Sequence, residues 1–243
     1  EKFMLNDQFF IKHGYTGIPK FKVFTEEGFN AISDQDDFSN GEIRAVGDFN
    51  NDGFDDVFFS YTDTLSTPLI LASDGNGGFL DSFLITGQEK VRHVRNTEVR
   101  DIDSDGDLDI IAFTAPHGWY QDILGPTWDG SEPDLIYYNI GENQFNAVAL
   151  LHETYNHSGA VGDMNGDGTL EIFSLSEYPH VTPYSEEPPY RGVLELDGSG
   201  TYQRSENFLP DLEFSDFLTS DMRIDDLNKD GFDDLVIAVS PDF

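Results

Sequence analysis

The chain has 243 residues, of which 38% are hydrophobic and 14% aromatic, and its formal net charge is −34. A chain of this composition can bury a substantial core, and all-β folds of this length commonly form one domain. We therefore expect a single domain over residues 1–243. The negative charge repels nucleic-acid phosphates and anionic membranes, so both are poor partners for this chain. The sequence has no cysteine, so no disulfide framework indicates the redox compartment.

Two β elements are predicted near the start of the chain. The segment from Phe21 to Ile32 has the length and the apolar pattern of a β-hairpin. Residues 9–14 favour a further, separate strand. Neither segment carries the acidic motif that recurs through the rest of the chain.

From residue 48 onward an acidic nonapeptide recurs four times with the pattern D-x-[DN]-x-D-G-x-x-[DE], at residues 48–56, 101–109, 163–171 and 226–234. We call these copies loops 1 to 4. Short acids or amides at positions 1, 3 and 5 can wrap a hard cation in oxygen ligands, and Gly at position 6 permits the turn. Position 7 then offers a backbone carbonyl, and the acid at position 9 closes the shell. The pattern predicts four Ca²⁺ sites, because Mg²⁺ prefers a small octahedron and keeps its waters.

The predicted ligands are the residues at positions 1, 3, 5, 7 and 9 of each loop. They are Asp48, Asn50, Asp52, Phe54 and Asp56 in loop 1; Asp101, Asp103, Asp105, Asp107 and Asp109 in loop 2; Asp163, Asn165, Asp167, Thr169 and Glu171 in loop 3; and Asp226, Asn228, Asp230, Phe232 and Asp234 in loop 4. The residues at position 7 would bind through their backbone carbonyls.

An EF-hand is the main rival interpretation, because its loop begins in the same way but ends with Glu at position 12 and is flanked by helices. Position 12 is occupied here by Phe59, Ala112, Ser174 and Ile237. Each loop is followed by a short apolar run that predicts a buried strand: residues 57–59, 110–113, 172–173 and 235–239. Each loop therefore joins two strands. An ion-free acidic turn is the alternative for one copy, and four complete copies argue against it.

A second hairpin separates successive loops, and its turn is rich in Gly. These hairpins run from Pro68 to Ile85, with strands to Ser73 and from Phe79, then from Leu135 to Leu151, and from Val193 past Tyr202. Each unit thus has four antiparallel strands, and the loops begin 53, 62 and 63 residues apart at positions 48, 101, 163 and 226. Periods in this range are typical of propellers. We predict an all-β propeller of about four blades, with calcium repeats at about 44–60, 97–114, 158–175 and 222–240.

The two ends of the chain are complementary in this scheme. The hairpin from Phe21 to Ile32 is similar to the last two strands of a unit, and the fourth unit stops after its second strand. Joining them would close a ring and remove exposed sheet edges. A strand at residues 9–14 would instead add a degenerate blade. A closed small propeller and a piece of a larger one both stay open.

The repeats resemble a known family. Residues 45–57 (Ala-Val-Gly-Asp-Phe-Asn-Asn-Asp-Gly-Phe-Asp-Asp-Val) and residues 157–171 are similar to FG-GAP and VCBS-type repeats, in the VCBS style because Phe-Gly and Gly-Ala-Pro elements are absent. The resemblance covers roughly residues 40–243 and implies a calcium-bearing β-propeller. Such repeats occur in integrin α-subunits, lectins and polysaccharide-degrading enzymes, so the function stays open.

Calcium suggests where the protein works. Sites of modest affinity fill where free Ca²⁺ is millimolar and stay empty in most cytosols, so we expect secretion or surface display, extracellular or periplasmic. The sequence shows no signal peptide and no apolar run long enough to span a bilayer, which suggests a mature product without membrane insertion. Asn156-His157-Ser158 fits the short N-glycosylation triplet.

The face away from the calcium loops is the predicted ligand face. All six histidines fall there, together with two long loops at 115–133 and 177–191. Aromatic rings can stack on sugars, and Arg can clamp carboxylate or sulfate. The ligand-binding candidates are His117, Trp119, Tyr120, Trp128, His180, Tyr184, Tyr190 and Arg191. The alternative is that these aromatic residues only pack the loops down.

Three functions are compatible with these patterns. The first is a calcium-stabilised binding module for a glycan or an extracellular protein. The second is a lyase acting on an acidic polysaccharide, with proton-transfer groups from His93, Tyr155 or His157 and a cation from Arg92 or Arg95. The third is a structural repeat unit of a larger adhesin, working with further domains or subunits.

Overall fold

The structure is a computed structural model and describes residues 22–25, 28–31, 41–61, 65–75, 79–87, 90–115, 132–154, 156–175, 191–197, 200–205 and 218–240. Every regular element in these ranges is a β-strand. The predicted all-β fold is confirmed. No helix in the described ranges is long and apolar enough to cross a membrane.

The strands follow one another along the chain as seventeen segments in the described ranges. They are β1 Lys22–Thr25, β2 Gly28–Ala31, β3 Gly41–Gly47, β4 Asp56–Tyr61, β5 Leu69–Ser73, β6 Phe79–Ser82, β7 Leu84–Gly87, β8 Val94–Arg100, β9 Asp109–Thr114, β10 Glu132–Asn139, β11 Gln144–Thr154, β12 Gly159–Gly162, β13 Glu171–Leu175, β14 Arg191–Leu196, β15 Tyr202–Arg204, β16 Leu218–Asp225 and β17 Asp234–Ser240.

Three repeats form antiparallel meanders of four strands. Sheet 1 has the order β3-β4-β5-β6, sheet 2 contains β8-β9-β10-β11, and sheet 3 has the order β12-β13-β14-β15. The fourth repeat contributes β16 and β17 as a two-stranded sheet, sheet 4. In all four repeats the acidic loop joins the first strand to the second, as predicted. The apolar runs after the loops are the strands β4, β9, β13 and β17.

The strand predicted from Phe79 to Ile85 is wrong in one respect, because the chain divides at Phe83. β6 completes sheet 1, whereas β7 pairs in parallel with β11 and becomes a fifth strand of sheet 2. The Phe83 side chain is buried, and its ring lies 5.6 Å from that of Phe145. Burial of this ring between the two sheets accounts for the break. β7 also covers the edge of β11, which would otherwise expose unpaired backbone groups.

The sheets pack face to face in chain order. One core cluster joins Phe58 and Ile70 of sheet 1 to Tyr137 of sheet 2, and a second joins sheets 2 and 3. A third cluster packs Phe173 of sheet 3 on Met222 of sheet 4. The first strands lie side by side, since β3 contacts β8, β8 contacts β12, and β12 contacts β16. This is the arrangement of propeller blades whose first strands surround a common axis.

The predicted N-terminal hairpin is also present. β1 and β2 pair antiparallel, with Phe24 opposite Phe29. Within the described strands, β1 and β2 pair only with each other, and β17 pairs only with β16. The strand predicted at residues 9–14 lies outside the described residues.

Candidate metal centre and the opposite face

All four acidic loops form the same hydrogen-bonded turn. In loop 2, the Asp101 carboxylate accepts the N–H of Asp105 at 3.0 Å and the N–H of Gly106 at 3.1 Å, and Asp105 Oδ1 accepts the N–H of Asp107 at 2.9 Å. The equivalent bonds recur in loops 1, 3 and 4. The side chains at positions 1, 3 and 5 therefore turn inward onto the loop backbone.

The backbone of each turn needs two left-handed residues. At position 6, Gly106 has φ +98, and a Cβ there would meet nothing within 4 Å, so conformation rather than space requires the glycine. Position 4 is also left-handed in every loop: Asn51 (φ 57), Ser104 (φ 62), Gly166 (φ 73) and Lys229 (φ 62). The sequence indicates the first of these positions. The sequence hides the second in loops 2 and 4, because Ser and Lys carry no signal for this conformation, whereas Asn51 and Gly166 are residue types that favour it.

The acid at position 9 is buried in loops 1 to 3. Asp56 and Asp109 are fully buried, and Glu171 is 2% exposed. Each accepts the N–H of the position 2 residue of its own loop, at 3.0 Å from Phe49, 2.8 Å from Ile102 and 2.8 Å from Met164. Asp56 and Asp109 also accept an N–H from the end of the third strand, from Ser73 and Asn139, both at 2.8 Å.

Burial raises the pKa of these three carboxyls. The pKa of Asp56 rises to about 6, and those of Asp109 and Glu171 rise to about 7. Desolvation is the largest cause in each case, and the neighbouring loop carboxylates add to it, while the backbone N–H donors oppose it.

Two of the loops gather three carboxylates at one point. One oxygen each from Asp101, Asp103 and Asp109 lie within 4.8 Å of one another, and so do one each from Asp163, Asp167 and Glu171. Among the described ion pairs, none involves these carboxylates. Converging oxygen donors without a positive partner, one of them buried, suit a hard divalent cation. These two clusters could therefore hold a metal ion.

Loops 1 and 4 share the turn but not this convergence. Within the described residues, only loops 2 and 3 bring three carboxylate oxygens so close. Loops 1, 3 and 4 all carry Asn at position 3, so this residue does not account for the difference between loop 1 and loop 3. In loop 4 the closing residue Asp234 is only partly buried. The predicted ligands at positions 1, 3 and 5 thus occupy the same turn in all four loops. The position 9 acid is buried in loops 1 to 3 and only partly buried in loop 4.

On the opposite face lie Arg92 and His93, neighbours in the sequence that were considered for charge neutralisation and proton transfer. His93 is 2% exposed. Glu132 accepts the Arg92 backbone N–H at 2.9 Å, the Arg92 guanidinium at 2.5 Å, and the backbone N–H of His93. The guanidinium of Arg44 lies 3.3 Å from His93 Nε2 and 3.1 Å from the carbonyl of Arg95. In this arrangement His93 is buried and Arg92 is paired with Glu132.

Sequence reasoning missed Arg44 and Glu132 on this face. It did name Arg95, which the structure leaves exposed. Arg44 was missed because a lone Arg in a strand forms no motif; the register shift between Ile43 and Ala45 marks it as a bulged residue. Arg95 sits at the matching bulge of β8 and is exposed. Glu132 was missed for the same reason as Arg44. The structure thus offers Arg95 to a ligand more readily than Arg92.

The remaining candidates of this face are only partly described. His157 is partly buried and lies two residues before β12, and Arg191 is described by its backbone as the first residue of β14. The following predicted residues lie outside the described residues: His117, Trp119, Tyr120, Trp128, Tyr155, His180, Tyr184 and Tyr190. Convergence of these side chains on one ligand stays a prediction.

The N-glycosylation triplet is not a usable acceptor. The Asn156 side chain is fully buried. Its Nδ2 donates to Asp134 Oδ2 at 2.5 Å and to Ser174 Oγ at 2.7 Å. A glycan needs an exposed amide, so this weak sequence match is wrong. Asn156 instead ties β10 to β13 in the core.

Three four-stranded sheets and one two-stranded sheet, each with an acidic turn between its first and second strands, define a repeat protein of the propeller-blade class. Residues 48–112 match the family model described as FG-GAP-like repeat. The chain therefore carries an FG-GAP-like repeat over these residues, and the resemblance seen in the sequence is confirmed. The matched stretch begins at the first residue of loop 1 and ends within β9, so it includes loops 1 and 2. Among curated proteins, none matches the chain.

Proposed function

We propose that the chain is a calcium-stabilised binding module of the propeller type that works outside the cytoplasm. The acidic loops hold four Ca²⁺ ions on one face, and the opposite face binds a glycan. The observation that carries the proposal is the fourfold recurrence of one acidic turn with inward-facing oxygens.

Bound calcium would offset the cost of the buried carboxyls, which an ion-free acidic turn would not. Burying a carboxyl without a positive partner is unfavourable, and the three buried position 9 acids take part in none of the described ion pairs. A bound Ca²⁺ would neutralise them and accept the carboxylates, amides and position 7 carbonyls as ligands. Four ions would also offset eight of the 34 net negative charges. Sites of modest affinity need millimolar free calcium, which supports a location outside the cell or in the periplasm.

The ligand is assigned to the face where the first strands begin. Four of the thirteen Lys and Arg residues of the chain lie in this part of the first two sheets: Arg44, Lys90, Arg92 and Arg95. An acidic sugar would use Arg95 as its most accessible arginine, since Arg can hold a carboxylate or sulfate with two hydrogen bonds. The aromatic residues of the two long loops would supply stacking surfaces.

The test is native affinity electrophoresis in calcium-containing gels cast with acidic or neutral polysaccharides. Retardation without loss of polymer is the expected result, and Arg95→Gln should weaken the retardation in acidic gels. Arg100→Gln is the matched control, because Arg100 is an exposed residue at the other end of the same strand β8. Migration identical to a blank gel with every polymer would remove the glycan and point to a protein partner.

The lyase interpretation is the second candidate, and the same gels separate it, because a lyase would clear the polymer. His157 is its remaining proton-transfer group in the described chain, since His93 is buried. Activity that survives in both His157→Ala and Tyr155→Phe would exclude these residues from such a mechanism. A structural unit of an adhesin would instead self-associate or bind neighbouring domains.

A further inference from the structure

A buried asparagine connects the position 9 carboxyls of loops 1 and 2. Asn139, the last residue of β10, is 1% exposed. Its backbone N–H donates to Asp109 Oδ1 at 2.8 Å, and its Nδ2 donates to the carbonyl of Phe49 at 2.7 Å. The N–H of Phe49 in turn donates to Asp56 Oδ2 at 3.0 Å. A continuous chain of hydrogen bonds therefore runs from Asp109 of loop 2 to Asp56 of loop 1.

A second contact joins the same two loops at the surface. Asn51 Nδ2 donates to Asp107 Oδ1 at 2.6 Å. Asn51 is the left-handed residue at position 4 of loop 1. Asp107 stands at position 7 of loop 2, whose backbone carbonyl is a predicted ligand. The turn of one loop thus holds a ligand residue of the next.

Loops 3 and 4 touch through different residues. Asp233, at position 8 of loop 4, accepts the N–H of Asp163 at 2.9 Å and returns its own N–H to the Asp163 carbonyl at 3.2 Å. The Phe232 ring packs over Gly166, where an added Cβ would come within 2.6 Å of it. Asp163 is the first ligand of loop 3. Within the described part of the chain, no hydrogen bond joins loop 2 to loop 3.

We propose that the four loops bind Ca²⁺ as two coupled pairs, loop 1 with loop 2 and loop 3 with loop 4. This inference rests on the proposed function, because it presupposes calcium in the loops. An ion in one loop fixes its ligand residues, and the shared hydrogen bonds then order the backbone of the paired loop. The second ion meets a loop that is already partly ordered and binds more tightly. Asn51, Asn139 and Asp233 are positioning residues in this scheme.

The test is native mass spectrometry of the full chain titrated with CaCl₂, which counts molecules carrying zero to four ions. Paired loops should deplete the species with one and three ions relative to four independent sites. We expect the second ion of each pair to bind about tenfold more tightly than the first, within the usual range of coupling between sites.

Matched variants separate pairing from folding. The double variant Asn51→Ala/Asp233→Ala removes one link from each pair at exposed or partly exposed positions. Its control is Lys229→Ala/Asp55→Ala, which changes position 4 of loop 4 and position 8 of loop 1, where no inter-loop bond involves the side chain in the described residues. The first double variant should still bind four ions but with populations closer to those of independent sites. The control should keep the wild-type populations.

Two outcomes would overturn the pairing alone. One is a wild-type chain that fills four sites independently, and the other is a linked-loop variant with populations as strongly paired as those of the wild type. Both leave the calcium assignment standing, because four ions still bind. A chain that binds no calcium would overturn the pairing and the proposed function together.

Discussion

Loop 4 differs from loops 1 to 3 at the residue that closes the turn. Asp56, Asp109 and Glu171 are at most 2% exposed and accept the N–H of position 2. Asp234 is partly exposed, and in the described residues no such hydrogen bond reaches it. The strands that follow explain the difference. β4, β9 and β13 are each covered by a third strand, whereas β17 pairs only with β16 among the described strands.

The same contrast extends along the second strand. In β9, Ile110 to Phe113 are all fully buried, whereas Val236 of the equally apolar β17 is 45% exposed. The two strands have similar sequences, so their burial depends on what packs against them. The comparison teaches that the acidic turn is a local structure, whereas the closing residue is placed by the rest of the sheet.

The largest expected loss of unfolding free energy comes from removing the acid at position 9, the residue placed by the rest of the sheet. Asp109→Ala leaves the buried N–H groups of Ile102 and Asn139 without an acceptor, and each orphaned donor costs about 1–3 kcal/mol. Asp234→Ala should cost less than about 1 kcal/mol, because its partly exposed carboxylate accepts no such N–H from the described residues. Urea unfolding in EGTA measures both. Equal losses would mean that loop 4 is closed in the same way as loop 2.

A smaller effect should be common to all loops. Gly106→Ala and Gly231→Ala both place a side chain at a left-handed position, with φ 98 and 94. Each should cost about 1–2 kcal/mol from backbone strain, since a Cβ meets no neighbouring atom at either site. The comparison uses chelated protein, followed by circular dichroism during thermal unfolding. A large cost in loop 2 alone would show that its turn depends on the covering strand.

The pH dependence of the chelated protein follows from the raised pKa values in loops 1 to 3. Folded pKa values of about 6 to 7 lie above those of exposed carboxyls. Protonation therefore favours the folded state, so stability should be greatest at low pH and should fall as pH rises through 6 to 7. With calcium present the trend should reverse, because the ion needs ionised ligands. Thermal melts at pH 5.5 and 8, with calcium and with EGTA, would contradict this if both series ran in the same direction.

Single-site removal gives the smallest structural change. Asp105→Ala and Asp230→Ala each delete the position 5 ligand of an exposed turn, in loops 2 and 4. Each variant should bind three ions at saturating calcium and keep its circular dichroism spectrum. Native mass spectrometry counts the ions. Three bound ions in both the wild type and Asp230→Ala, with two in Asp105→Ala, would restrict binding to the three loops that have a buried closing acid.

The sequence predicts the local structure of this chain well, and the reason is physical. Acids at fixed spacing and Gly at position 6 determine the turn by themselves, and apolar runs determine the strands. The departure of β7 into sheet 2 depends on where the Phe83 ring is buried. The links through Asn139 and Asp233 depend on contacts across about 70 to 90 residues. Such tertiary contacts leave no periodic signal in one sequence.

The most direct measurement of the central claim is the melting temperature of the chain in millimolar calcium and in excess EGTA. A ligand at a hundred times its Kd stabilises by about 2.7 kcal/mol per site, and 1 kcal/mol shifts the melting temperature of a domain of this size by about 2–4 °C. Occupied loops therefore predict that chelation lowers the melting temperature by at least about 10 °C. An unchanged melting temperature would contradict the assignment of calcium to these loops.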